Sequence, residues 1–111
     1  MNKMIAIGRL THDVVLAQAG GKDVVRNSIA VDDGKDKDGN KKTLFLDFSA
    51  FDNTAKIIAQ YAKKGDRIYL EGRLQVRDFT RDDGSKSRAV SLLVNSVELL
   101  EGKKDGNDLP F

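Results

Sequence analysis

Residues 73 to 81 read R-L-Q-V-R-D-F-T-R. Side chains on a strand alternate between faces, so Arg73, Gln75, Arg77, Phe79 and Arg81 share one side, spaced roughly 6.6 Å apart. Three guanidinium groups, an amide and an aromatic ring make a poor core. They suit a polyanion with flat bases: guanidinium for phosphate, ring for base. An exposed hairpin arm with ordinary solvating charge is the plainer reading. The elements that carry this row must decide between them.

The chain has 111 residues, enough for one domain with a modest core. Nineteen Lys plus Arg stand against seventeen Asp plus Glu, a net charge of only +2. Any argument for nucleic acid must therefore rest on where the charges lie. Cysteine is absent, which excludes a disulfide framework and points away from a zinc or redox site; no cofactor is expected. A reducing, cytoplasmic setting follows. No apolar run approaches the ~20 residues of a membrane span, and the N-terminus lacks the apolar core of a signal peptide.

Residues 3 to 10 read as a strand whose Ile5 and Ile7 share a face with Lys3 and Arg9. Gly8 within it marks a bulge, a tight bend or a close backbone approach. Residues 11 to 23 read as loop, and 24 to 31 as a second strand with Val25, Ile29 and Val31 in phase. Residues 32 to 42 form the projecting end of a long hairpin, turned at Asp38-Gly39-Asn40 and carrying Lys35, Lys37, Lys41 and Lys42. On residues 43 to 51, Leu44, Leu46, Phe48 and Ala50 give a core face. Phe45, Asp47, Ser49 and Phe51 give a polar one with two rings in it. A loop or the helix could cover those rings; left open, they are stacking platforms.

The one helix expected spans 52 to 64, capped by Asp52 or Asn53. Ala55, Ile58, Ala59 and Ala62 form its stripe, which Ile57 and Tyr61 widen. Lys63 and Lys64 suit its C-terminal dipole, and Gly65 suits its end. Strands follow over 66 to 77 and 86 to 100, joined at Asp82-Asp83-Gly84-Ser85. The last is apolar on both faces, as in a buried strand or a subunit contact. Three strands, a helix and two strands are the order of an all-β, five-stranded Greek-key barrel, the OB-fold. That fold binds oligonucleotides on the face of its second and third strands, aided by the first and last strand-connecting loops. The lysine-rich hairpin, the two-phenylalanine strand and the 73–81 row fall on that side.

Asn2-Lys3 before an apolar strand, Gly8-Arg9-Leu10 and Asp13 resemble the N-terminus of bacterial-type single-stranded DNA-binding proteins. Lys63-Lys64-Gly65, Glu71-Gly72-Arg73-Leu74 and Asp83-Gly84 resemble that family further on, and Asp108-Leu109-Pro110-Phe111 resembles its partner-recruiting tip. Departures are Val14 in place of the family's usual proline and Gly34-Lys35 where relatives often carry another aromatic. The linker before the tip is about seven residues, roughly 14 Å of flexible coil, where relatives have a long one. A phage, plasmid or accessory copy would suit so compact a chain.

The resemblance implies an OB-fold domain over 1–100 and a short tail over 101–111. It implies a homotetramer that protects single-stranded DNA in replication, recombination and repair without sequence preference, in a bacterial or phage-infected cytoplasm. Phe45, Phe51 and Phe79 match the family's stacking aromatics, and Lys64 and Arg77 match basic positions. Facing arguments add Lys3, Arg9, Arg73 and Arg81 as phosphate contacts, and the hairpin adds Lys35 and Lys41. Replication and repair proteins would bind the tip. An RNA-binding or primosome-type OB protein and a pure adaptor acting through the tip are the rivals. An enzyme is not expected, because His12, the sole histidine, has no nucleophile or metal cluster around it.

Overall fold

The structure, a computed structural model, describes residues 1–100; the expected tail and its Asp108-Leu109-Pro110-Phe111 tip lie outside them. Alternating apolar residues build five long strands, β1 (Met4–Leu10), β3 (Lys22–Lys35), β4 (Lys41–Phe51), β5 (Arg67–Thr80) and β6 (Lys86–Leu99). A three-residue β2 (Ala17–Ala19) lies in the stretch expected to be loop and pairs with the start of β3. The long strands close a ring in the order β1, β5, β6, β4, β3 and back to β1. All contacts are antiparallel except β4 with β6. With the helix α1 (Asp52–Tyr61) between β4 and β5, this is the OB-fold barrel.

Inside lie Val25, Ile29, Leu46, Phe48, Ile68, Leu70 and Leu92, all buried. Ala55 and Ile58 from α1 are fully buried against them. Each such aliphatic or aromatic side chain contributes about 1.5–3 kcal/mol by leaving water. The helix is shorter than expected. Phe51 is the N-cap, without a side-chain cap bond, because β4 runs directly into α1 through Asp52 at φ 56°. A short polar side chain tolerates that left-handed corner. Ala62 ends the helix, so Lys63, Lys64 and Gly65 form the following turn rather than its last residues. Ile57 and Tyr61 do not widen the buried stripe: both point outward.

Two strand pairs outrun the barrel. β3 and β4 extend into a finger closed at residues 36–40, and β5 and β6 into an arm turned at 81–85. Once past the barrel, a strand has no core behind it. Leu44, expected in the core, is therefore exposed, and so are Leu74, Val76 and Val90 on the arm. Asn2 anchors the root of the arm, its side-chain amide donating to the Leu74 carbonyl at 2.8 Å and accepting from the Leu74 amide at 3.0 Å.

Backbone closeness makes two glycines indispensable. A Cβ on Gly72 would lie 1.9 Å from the Leu93 carbonyl oxygen, and one on Gly8 2.6 Å from that of Ala30. Gly72 sits at the register shift between β5 and β6, where both strands turn from barrel into arm. Gly72→Ala should cost about 3 kcal/mol through overpacking. Gly84→Ala, at the open arm turn with φ 87°, should cost only about 1–2 kcal/mol. Urea midpoints compare the two, and equal losses would mean that the tight crossing is absent.

Candidate nucleic-acid interface

The register of four strands lays out one continuous outer surface, because directly paired residues project from the same side of a sheet. Ser28 of β3 faces Asp47 of β4, Asp47 faces Ser91 of β6, and Ser91 faces Gln75 of β5. The next row is Arg26, Ser49, Leu93 and Arg73. Beyond the Ser28 row, Phe45 stands opposite Ala30 and Arg77 opposite Ala89. A groove of about 850 Å³ runs over these rows, lined among others by His12, Arg26, Asp47, Ser49, Phe51, Gln75 and Arg77. A second, of about 350 Å³, is lined by Lys22, Phe51, Arg73 and Leu93. Phe51 lines both, which places Arg73 and Arg77 in adjoining grooves.

The rings differ in how they are held. Phe45 is 66% exposed and Phe79 39%, whereas Phe51 is half-buried at the end of β4. No loop among the described residues covers Phe45. Phe79 stands on the arm under the Arg81 guanidinium, whose carbon is 5.9 Å from the ring centroid. Arg81 lies just past β5 and donates from Nη2 to Ser87 Oγ at 2.9 Å, so it is held over the ring rather than continuing the row. Such a contact contributes about 0.5–1 kcal/mol at an exposed site.

The finger is tied at its tip by hydrogen bonds. Asp36 donates its amide to the Asn40 carbonyl and accepts the Gly39 amide on its own carbonyl. Its Oδ1 accepts from the amides of Asp38 and Asn40, both at 2.9 Å. Those bonds, chiefly from Asn40, hold its carboxyl below the ordinary value. Lys35 and Lys41 are directly opposite. Like charges so placed repel, which a polyanion between them would relieve.

The remaining basic candidates are elsewhere. Lys3 pairs with Glu71 at 3.3 Å, and Glu71 also accepts from the Tyr69 hydroxyl at 2.8 Å. Arg9 donates to the Gly65 carbonyl at 3.0 Å and lines a third groove with Arg67, Lys41 and Lys42. Lys64 is exposed in the turn beside that carbonyl. The sequence reading missed Arg26, His12 and Asp47 as lining residues. Arg26 alternates with the buried Val25, which was a usable signal. His12 is carried there by the loop that Asn27 pins through the carbonyls of residues 12 and 13, which no local pattern announces.

A family model described as the single-strand binding protein family matches residues 1–100. The chain belongs to that family. It is 36% identical over 106 residues to a single-stranded DNA-binding protein of Wolinella succinogenes, covering 92% of this chain and 65% of that one. It is 35% identical over 112 residues to single-stranded DNA-binding protein 1 of Xylella fastidiosa, covering 96% and 82%. With single-stranded DNA-binding protein 1 of Chlorobaculum tepidum the identity is 34%, covering 96% and 68%. The chain thus spans about two-thirds of the length of most of these family members. None of the described helices is long and apolar enough to cross a membrane, and no described group of His, Cys, Asp or Glu could hold a metal ion.

The Asp36 cap gives a testable property of the finger. Its carboxyl titrates below the ordinary value, so the cap is complete above that value and is lost as pH falls through the depressed one. Asp36→Ala should speed amide exchange at Asp38 and Asn40 severalfold at neutral pH, with no change in the barrel. Unchanged exchange would show that the tip does not depend on this carboxylate.

Proposed function

We propose that the protein binds single-stranded DNA independently of sequence and protects it during replication, recombination and repair. The observation that carries this reading is the uncovered four-strand surface, on which Phe45, Phe51 and Phe79 alternate with Arg26, Arg73 and Arg77. Bases stack on the rings at about 1–3 kcal/mol each, and the cations neutralise phosphates and release counterions. In a duplex the base faces are already covered, so double-stranded DNA gains only the phosphate term. The lysines of the finger extend the cationic track beyond the barrel.

The barrel works as part of a homotetramer, and the tip Asp108-Leu109-Pro110-Phe111 recruits replication and repair proteins. Support for assembly comes from β1. Ile5 and Ile7 are about half exposed on its outer face, and only Arg9 and Leu10 pair with β3. Much of the other edge of β1 is therefore open to a second copy, as sheet edges are.

One titration series tests the binding. Fluorescent oligo-dT, a duplex and a matched RNA are each titrated at two salt concentrations, with oligo-dT bound most tightly in competition with duplex. Replacing Phe45, Phe51 and Phe79 together with Ala should weaken binding at least a hundredfold by the stacking magnitude. Arg77→Ala should flatten the salt dependence by about 0.7 in slope. Parent-like binding by the triple variant would overturn the stacking role, and tighter binding of RNA would replace DNA as the ligand. Light scattering at micromolar concentration should return four chains; a monomer would overturn the assembly.

A further inference from the structure

His12, the sole histidine of the chain, is exposed in the loop after β1 and lines the large groove with Arg26, Asp47 and Arg77. Its loop is held from two sides. Asn27 donates through Nδ2 to the carbonyls of His12 at 3.1 Å and Asp13 at 3.3 Å. Thr11 Oγ1 lies 2.6 Å from Nδ1 of the ring, donates to the Ser28 carbonyl at 3.2 Å and also meets the Ser28 hydroxyl. A hydroxyl has one proton and two lone pairs. With its proton on the Ser28 carbonyl, Thr11 uses both lone pairs by accepting from the Ser28 hydroxyl and from Nδ1–H of His12. This assignment leaves nothing of Thr11 unused and fixes the proton of the neutral ring on Nδ1. Nε2 then has no partner among the described residues.

A polyanion meets two different rings according to charge. The neutral ring offers Nε2 as a bare acceptor, which phosphate oxygens avoid. The charged ring donates from both nitrogens, Nδ1 still to Thr11 and Nε2 to the ligand in a charge-assisted bond. We propose that His12 is a protonation-gated phosphate contact, so that the groove holds single-stranded DNA more tightly as the medium becomes acidic. The inference rests on single-stranded DNA being the ligand. It adds no base preference, because the phosphate is the same in every sequence. Charged neighbours act on the ring from each side. Arg26 on β3 and Arg77 on β5 oppose a positive ring, while Asp47 on β4 and Asp13 beside it in the loop favour one. A phosphate drawn in by the two arginines tips that balance toward the charged form. Linkage is reciprocal: binding takes up a proton, and acid strengthens binding.

Oligo-dT is the probe, since neither thymine nor the phosphodiester takes up a proton in mild acid. It is titrated into the full chain and into His12→Gln at pH 8 and at about pH 5.5, which bracket the ordinary titration of imidazole. The parent should bind about fivefold more tightly in acid, the upper range for an exposed ion pair. Its salt dependence should steepen there by about 0.7 in slope, one further phosphate. His12→Gln, polar but without a titration, should lose that gain. Carboxylates that begin to titrate are common to both proteins, so the difference between them reports His12. Circular dichroism checks that the variant folds. Nitrogen-15 NMR of the parent, with its single histidine, gives a separate readout: the proton should sit on Nδ1 at pH 8, and oligo-dT should move the titration to higher pH. A gain in acid that His12→Gln retains, a proton found on Nε2, or a titration unmoved by oligo-dT overturns the proposal while leaving DNA binding intact. Failure of the parent to bind oligo-dT at either pH would overturn both.

Discussion

The short parallel contact between β4 and β6 is the constraint on which the rest of the molecule depends. Its three residue pairs are Asp47 with Ser91, Phe48 with Leu92, and Ser49 with Leu93. The inner pair, Phe48 and Leu92, are both buried, so the contact that closes the ring also joins the two halves of the core. Its outer pairs weld the β3–β4 face to the β5–β6 face. Without it the β3–β4 and β5–β6 hairpins would be joined only through β1, and Phe45 and Phe51 would not share one outer surface with Arg73 and Arg77. A parallel pairing of strands so far apart in sequence is costly to form. It is worth forming because core and interface gain from the same three residue pairs.

This explains which parts of the protein were legible from sequence. Alternation along 43–51 separated Leu46, Phe48 and Ala50 from Phe45, Asp47, Ser49 and Phe51, and the structure places them on opposite sides. Alternation cannot say whether a face is covered. Leu44, Leu74, Val76 and Val90 have core-like side chains yet lie where the strands have left the barrel. Helix periodicity found Ala55 and Ile58, but the corner at Asp52 and the early end at Ala62 are set by the strands on either side. Phe45, Phe51 and Phe79 were picked out both by their faces and by family resemblance. Alternation points Arg26 and Asp47 outward, but which residues they neighbour across the groove is set by cross-strand register, a non-local property. Lys3 and Arg9 illustrate the converse: their facing was readable, but not the Glu71 and Gly65 groups that engage them.

The charge pattern follows the same logic. A net charge of +2 hides a division of labour between acids and bases. Several acids face inward to the chain itself: Asp32 accepts from the Gly34 amide, Asp36 closes the finger, Asp66 accepts from the Lys63 amide, and Asp83 holds Ser85. Backbone and hydroxyl donors hold the carboxyls of Asp36 and Asp83 below their ordinary value, so they remain ionised partners of the turns. Used this way, a carboxylate shapes a projection while leaving the neighbouring Lys or Arg to face outward. The finger shows the result. Its turn is tied by Asp36, and its strands present Lys35 opposite Lys41. A field built so is local, since at physiological salt it decays over about 8 Å, and it guides a strand only once that strand is close to the surface. In the proposed binding mode, specificity for the single-stranded form comes from contact, through rings that need bare base faces. The overall charge can then stay near neutral, because arrangement rather than total would bring phosphate and ring together.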